Sequence, residues 1–89
     1  ETLNHEITHG IYDFEKIYQK KVKKYLKDKD LKDIIKFLLK RGYSQKVLID
    51  EINAYLTNDY KWLKKKRLKG KQYFKYYRDL VKIRSAYWR

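Results

Sequence analysis

The sequence predicts an all-α protein, a compact bundle of about four to five helices. Three observations predict it: the chain has no proline, it has only three glycines in 89 residues, and its apolar residues recur every three or four positions. Joints between the predicted helices are short, as is typical of compact bundles. A chain of this length supports one domain with a modest core. We therefore treat residues 1–89 as a single helical domain.

The first predicted helix begins near Thr2 or Leu3, and a polar joint at residues 27–30 ends it. Its apolar positions form a single stripe: Ile7, Ile11, Phe14, Tyr18, Val22 and Tyr25. Asp30 has the side chain of a helix N-cap and predicts the start of a second helix. The predicted buried side of that helix carries Leu31, Ile34, Ile35, Leu38 and Leu39.

Two glycines mark boundaries between the later predicted helices. Gly42 stands where a left-handed residue would close the second helix, and Ser44 is the predicted N-cap of a third. That third helix runs to about residue 56 and restarts or continues over residues 57–68. Gly70 breaks it, and a last, aromatic-rich helix follows from residue 72 to residue 87.

Composition excludes several classes of function. The chain has no cysteine, which removes disulfides, thiolate metal sites and thiol nucleophiles and leaves the compartment open. No apolar run approaches the roughly 18 residues needed to span a bilayer, so we predict no transmembrane segment. Because the first residue is Glu1 rather than Met, we expect a fragment or a processed product of a longer protein.

The net charge of +13 is concentrated at the C-terminal end. Residues 61–89 hold twelve Lys and Arg against Asp79 alone, whereas residues 1–60 hold twelve against ten Asp and Glu. This asymmetry predicts an acidic partner for residues 61–89, such as nucleic acid, a membrane surface or an acidic protein. A solvated, lysine-rich surface with no dedicated partner is the alternative interpretation.

The two histidines of the chain stand in the pattern His5-Glu6-Ile7-Thr8-His9. A helix turns about 100° per residue, so residues four apart lie on one face and both imidazoles can reach the same zinc ion. Glu6 follows the first histidine, where it can take a proton from a water at the metal. The pattern predicts a zinc site with His5 and His9 as ligands and Glu6 as general base.

Zinc held by two histidines needs a third protein ligand, and Glu51 is the best candidate. Its neighbours on one face of the third helix are apolar or amphipathic: Val47, Leu48, Ala54 and Tyr55. A carboxylate in such a stripe must be paired, protonated or bound to metal. Asp50 and Asn53 are assigned to the polar side of the helix. Pairing of Glu51 with one of the many lysines is the alternative.

This arrangement makes two further predictions. If the first helix ran straight to residue 28, Glu51 would be too far from the histidines, so we predict a break between about Ile17 and Lys24. Gly10 costs roughly 1 kcal/mol relative to alanine within a helix. Its presence predicts the close approach of another element, unless it is simply tolerated near a frayed helix start.

His5-Glu6-x-x-His9-Gly10 followed by Asp50-Glu51-x-x-Ala54-Tyr55 resembles the zincin metallopeptidases of the gluzincin type, over residues 2–56. The resemblance implies peptide-bond hydrolysis with zinc as cofactor, bound by His5, His9 and Glu51. It also implies a tyrosine that stabilises the oxyanion, for which the candidates are Tyr43 and Tyr55. Zincins place a β-sheet before the active-site helix. An N-terminal segment or a second chain would have to supply that sheet to align a peptide or protein substrate.

The last thirty residues predict a rival function without catalysis. Basic residues that can contact phosphates alternate with rings that can stack on bases. The basic ones are Lys64, Lys65, Lys66, Arg67, Lys69, Lys71, Lys75, Arg78, Lys82 and Arg84, and the rings are Trp62, Tyr73, Phe74, Tyr76, Tyr77 and Trp88. The same rings also fit a core stripe. Residues 31–52 can be read as a helix-turn-helix, and residues 38–52 resemble the helical repeats of recombinase-regulating proteins. A protein-interaction module is a further alternative.

Overall fold

The computed structural model describes residues 3–66, 68 and 70–87, and every regular element in this part of the chain is helical. The order is α1 (Leu3–Phe14), α2 (Lys16–Leu26), α3 (Lys32–Lys40), a 3-10 turn (Gln45–Val47), α4 (Leu48–Asn58), α5 (Tyr60–Lys65) and α6 (Gln72–Ser85). The predicted all-α bundle is confirmed. Six α-helices stand where four to five were predicted, because breaks at Glu15 and Asp59 divide two of the predicted helices.

The break in the first predicted helix lies at Glu15, earlier than the predicted window of Ile17 to Lys24. Glu15 has extended backbone angles, φ −97° and ψ 95°, and the side chain of Gln19 donates a hydrogen bond to the carbonyl of Tyr12 near the end of α1. The chain turns at this break, so α2 packs a separate set of apolar side chains into the core. Phe14, predicted to lie in one continuous stripe, is instead 86% exposed.

Helix α4 is the centre of the fold. It packs against all five other α-helices, and its residues 52–57 are all buried. The assignment of Asn53 to a polar side was therefore wrong, and Asp50 is only partly exposed. Asn53 is buried and donates a hydrogen bond to the Tyr18 hydroxyl at 2.9 Å, and it accepts one from Thr57 at 3.3 Å. Asp50 is half-buried and faces α1.

The predicted glycine boundaries are confirmed. Gly42 has φ 96°, and the backbone amides of Gly42 and Tyr43 donate to the carbonyls of Leu39 and Leu38, which is the Schellman pattern. Gly70 has φ 115° and lies just before α6. Asp30 accepts a hydrogen bond from the Lys32 amide, although the N-cap position itself belongs to Leu31.

Two other boundary assignments differ in detail. Ser44 precedes the 3-10 turn rather than α4 and makes no side-chain capping bond. Leu39, predicted to be buried, is exposed. Within the described residues, none of the helices has the length and apolarity needed to cross a membrane.

The hydrogen bond between Asn53 and Tyr18 makes a testable prediction. Asn53→Ala should lower the free energy of unfolding by about 1–3 kcal/mol, because it leaves a buried hydroxyl without its donor. Urea unfolding followed by circular dichroism measures the loss. In a double-mutant cycle with Tyr18→Phe, the two losses should be less than additive. Strict additivity would show that this hydrogen bond contributes nothing to stability.

Candidate metal centre

The side chains of His5, His9 and Glu51 meet where α1 crosses α4. Both histidines lie on the face of α1 that packs against α4, as their four-residue spacing predicts. The Glu51 Oε1 atom lies 3.4 Å from His5 Nε2 and 3.2 Å from His9 Nε2. The three groups each offer one ligand atom, and these atoms lie within 4.8 Å of one another. The predicted convergence of Glu51 with the two imidazoles is therefore present in the fold.

Each imidazole is held from its other side by a carboxylate. His5 Nδ1 lies 2.5 Å from Asp59 Oδ2, and His9 Nδ1 lies 2.8 Å from Asp50 Oδ1. A carboxylate at Nδ1 accepts a hydrogen bond from that nitrogen and directs the lone pair of the neutral ring to Nε2. Carboxylate–histidine pairs of this kind orient the histidine ligands of metal sites.

The two distances from Glu51 to the imidazoles are close to the spacing of ligand atoms around a zinc ion. Zinc binds histidine nitrogen and carboxylate oxygen at about 2.0–2.2 Å in tetrahedral geometry, which separates neighbouring ligand atoms by roughly 3.4 Å. The two Nε2–Oε1 distances of 3.4 and 3.2 Å match that separation. Charge-assisted hydrogen bonds are shorter, about 2.7–2.9 Å. The Glu51 Oε1 atom is buried, and its two close polar neighbours are the imidazoles.

Negative charge dominates this cluster in a strongly basic chain. In the described ranges, the ion pairs of Asp50, Glu51 and Asp59 are with the two histidines and with no lysine or arginine. The alternative that Glu51 pairs with a lysine therefore finds no support among these residues. Three carboxylates around two imidazoles leave an excess of negative charge that a divalent cation would compensate.

Burial and charge shift two pKa values in the cluster. Burial raises the pKa of the Glu51 carboxyl, and the nearby imidazoles offset part of that rise. The pKa of His9 is raised to about 9, mainly by its hydrogen bond to Asp50 against the opposing effect of burial. The charge of Glu6 adds to this rise. Without metal, His9 therefore carries a proton at neutral pH.

The cluster opens to solvent on one side. His5 is fully buried, whereas the side chains of Glu51 and His9 are 14% and 18% exposed. Glu6, the predicted general base, is exposed and belongs to the same turn of α1 as His9. A small ligand would therefore reach the cluster from the side of His9.

The two tyrosines that the resemblance implies lie together beside His5. The Tyr55 ring meets the His5 ring edge-on with a centroid distance of 4.6 Å, and the Tyr55 and Tyr43 hydroxyls are hydrogen-bonded at 2.9 Å. Tyr55 is buried and Tyr43 is half-buried. Gly10 does not have the close neighbour that its position predicts, because a Cβ there would meet no atom within 4 Å.

Two residues of the cluster were not assigned to the site from the sequence alone. Asp59 lies just after α4, where the chain leaves helical geometry (φ −122°, ψ 24°) and brings its carboxylate to His5. Asp50 was assigned to solvent. The available signal was the concentration of three acidic residues at positions 50, 51 and 59 in a basic chain.

Comparisons with protein-family models, with curated proteins and with solved structures find no match. The resemblance to gluzincins therefore stays a prediction carried by His5, Glu6, His9 and Glu51. Function is argued below from the geometry of the cluster.

The raised pKa of His9 predicts how the metal-free protein responds to pH. The folded state raises the pKa of His9 to about 9, whereas the pKa of an unperturbed imidazole is 6.5. The stabilisation is therefore complete below pH 6.5 and is lost as pH rises to about 9, a decrease on the order of 2–3 kcal/mol. Urea unfolding in chelator measures it. His9→Gln should flatten this part of the profile, and an unchanged slope in that variant would contradict the assignment.

Proposed function

We propose that this protein binds zinc through His5, His9 and Glu51 and hydrolyses peptide bonds as a metallopeptidase-type enzyme. The observation that carries the proposal is that the imidazoles of His5 and His9 point to the same atom. Both Nε2 atoms face the same Glu51 oxygen, while each Nδ1 is held by its own carboxylate. The experiment that tests it is metal analysis of the intact protein and of variants in these residues.

The donor set favours zinc over other common cations. Calcium and magnesium prefer sites made of oxygen ligands, whereas two imidazoles with one carboxylate are a typical catalytic zinc set. Structural zinc sites are usually closed by four protein ligands, and catalytic sites keep one position for water. Three candidate ligands with an opening beside His9 fit the catalytic kind.

The roles of the chain's own residues follow from their positions. Zinc in such a site supplies Lewis acidity, which lowers the pKa of water and polarises a carbonyl. Glu6 is exposed beside His9 and would accept the proton of the attacking water and pass it to the leaving amine. Asp50 and Asp59 would hold the two rings in the tautomer that ligates metal. Tyr43 and Tyr55 remain the proposed oxyanion donors, and of the two Tyr43 is nearer to solvent.

The exposed face of α1 supports the proposed need for a second element. Leu3 and Phe14 lie on that face and are exposed, and Ile17 just beyond the break is exposed as well. Gly10, between them on the same face of the helix, leaves open space where a backbone could approach closely. An N-terminal segment or a second chain that covers this face would supply the predicted sheet and align a peptide or protein substrate.

The alternative is a polar network without metal, in which the two histidines bridge carboxylates to fasten α1 to α4. Both arrangements use the same contacts at Nδ1. They differ at Nε2, which carries a proton in one and a metal in the other. Metal content therefore separates them directly.

Zinc content is the primary prediction. Protein purified without chelator should contain a near-equimolar amount of zinc, and saturating zinc should raise the midpoint of thermal unfolding of chelated protein by about 10 °C or more. Glu51→Gln keeps the shape of the side chain and removes its charge, so it should lose most of the zinc. Glu15→Gln makes the same change at an exposed position and should keep it. Equal zinc in both variants, or none in the parent, would refute the proposed ligand set.

An assay of peptide hydrolysis distinguishes the proposed role of Glu6 from that of the zinc ligands. Glu6→Gln should retain zinc and lower peptide hydrolysis at least 100-fold, because it removes a proton acceptor and not a ligand. A fluorogenic peptide library assays the activity, with zinc measured on the same samples. If the parent binds zinc and cleaves none of the library, the hydrolytic part of the proposal fails and the zinc site stands.

The carboxylates that hold the two imidazoles give a prediction for the affinity of zinc binding. Asp50→Asn and Asp59→Asn should each weaken zinc binding about 10- to 100-fold, because they remove the charge that orients a ligand ring. Competition with a chromophoric chelator measures the affinity, and circular dichroism checks that the variants fold. Asp33→Asn, an acidic position on α3, is the matched control. Parent-like affinity in both site variants would show that these carboxylates do not support metal binding.

A further inference from the structure

Three aromatic rings pack together where α5 meets α6, on a surface that the proposed hydrolysis does not use. Tyr60 and Tyr77 are stacked with centroids 5.0 Å apart and planes 9° apart. Phe74 lies 6.0 Å from Tyr60 and 6.1 Å from Tyr77, and it is 50% exposed. We call these three residues the aromatic platform. A half-exposed phenylalanine held by two other rings presents a fixed apolar surface to solvent.

Two grooves flank the platform, and both carry lysine. The first has a volume of about 380 Å³ and is lined by Tyr60, Lys64, Leu68, Gly70, Lys71 and Phe74. The second is of similar size, about 390 Å³, and its lining includes Lys61, Trp62 and Tyr77 together with the acidic Asp59. Lysine and aromatic residues therefore line both grooves, and the first groove is the more favourable one for an anion.

Positive charge continues from the platform along α6. Lys71, Lys75, Arg78 and Lys82 follow one another at three- or four-residue steps, so they lie on one side of the helix over about 16 Å. The Arg78 guanidinium lies over the Phe74 ring, 5.8 Å from its centroid. Asp79 is the one acidic residue among residues 61–89. It accepts hydrogen bonds from Tyr25 and Lys75, so Arg78 and Lys71 can interact with another anionic group.

The structure also corrects which rings of the basic segment can stack on a ligand. Tyr73 and Tyr76 are buried and belong to the core, in agreement with the interpretation of these rings as a core stripe and not as base platforms. Trp62 is half-buried and packs against Phe37 and Tyr55. Three predicted contact residues lie outside the described residues: Arg67, Lys69 and Trp88.

We propose that the aromatic platform and its flanking lysines form a binding site for single-stranded nucleic acid. A base would stack against Phe74 beside the Arg78 guanidinium that lies over this ring, and Lys64 and Lys71 in the first groove would contact phosphates. The exposed Phe74 ring is tilted by 57° and 50° to the two stacked tyrosines that hold it and does not project singly, which suits contact with a base better than insertion into a bilayer. This site uses none of the proposed zinc ligands, and the metal cluster adjoins it through Asp59, which lines the second groove and holds His5.

Fluorescence anisotropy of a labelled oligo(dT) with the intact protein tests the proposal. Binding should weaken steeply between about 50 and 200 mM salt. Lys64→Gln with Lys71→Gln should lower the salt slope by about 1.4, because each phosphate contact on a single strand contributes roughly 0.7. Lys16→Gln with Lys20→Gln removes the same charge on α2, away from both grooves, and should leave the slope nearly unchanged.

Phe74→Leu removes the aromatic ring without changing the charge of the protein, so it tests stacking alone. It should weaken binding roughly tenfold or more with an unchanged salt slope, since a stacked base contributes about 1–3 kcal/mol. Chelator should not affect binding. The proposal is overturned if the parent does not bind, if the Lys16 and Lys20 variant loses as much as the Lys64 and Lys71 variant, or if Phe74→Leu binds as the parent does. It is equally overturned if vesicles with anionic lipid are bound in a Phe74-dependent way while oligo(dT) is not.

Discussion

The packing of α1 on α4 depends on a row of polar contacts at the border of the apolar core. His5 reaches Asp59, Thr8 accepts a hydrogen bond from Asn58 at 2.7 Å, and His9 reaches Asp50. His5 and Thr8 are fully buried, so loss of a partner would leave a polar group without compensation. These contacts fix the rotation of α1 about its own axis, and that rotation decides where Nε2 of each histidine points. The fold and the candidate metal centre therefore depend on the same few bonds.

Much of this arrangement could be predicted because it rests on local patterns. The helical class, the turn at Gly42 and the shared face of His5 and His9 all follow from spacing or from a single residue's backbone preference. The choice of Glu51 followed from a carboxylate within an apolar stripe. Asp59 could not be predicted in the same way, because its contact with His5 spans 54 positions and requires the chain to leave helical geometry at that residue. Asn53 was misassigned because the sequence does not reveal that α4 is surrounded by helices.

Charge is distributed so that the two proposed sites do not compete. The metal cluster concentrates Asp50, Glu51 and Asp59 against two histidines, while the aromatic platform belongs to the segment with twelve Lys and Arg against one Asp. The net charge of +13 repels a metal ion at long range, but solvent ions screen charges beyond about 8 Å. Within that distance the three carboxylates dominate. A polyanion, in contrast, would be attracted by the basic segment and repelled by the acidic cluster, which favours binding at the platform.

The geometry of the cluster bears on how a metal would bind. The bonds from each Nδ1 to its carboxylate are compatible with either a proton or a metal at Nε2, so exchange of one for the other does not require either ring to turn. The Nε2–Oε1 distances already match those of a tetrahedral centre. The three ligand atoms lie within 4.8 Å of one another, a wider limit than the roughly 3.4 Å of a tetrahedral centre, so the two imidazoles would have to approach each other to share one ion. The free energy of metal binding would stabilise the contact between α1 and α4, because the unfolded chain does not bring these ligands together.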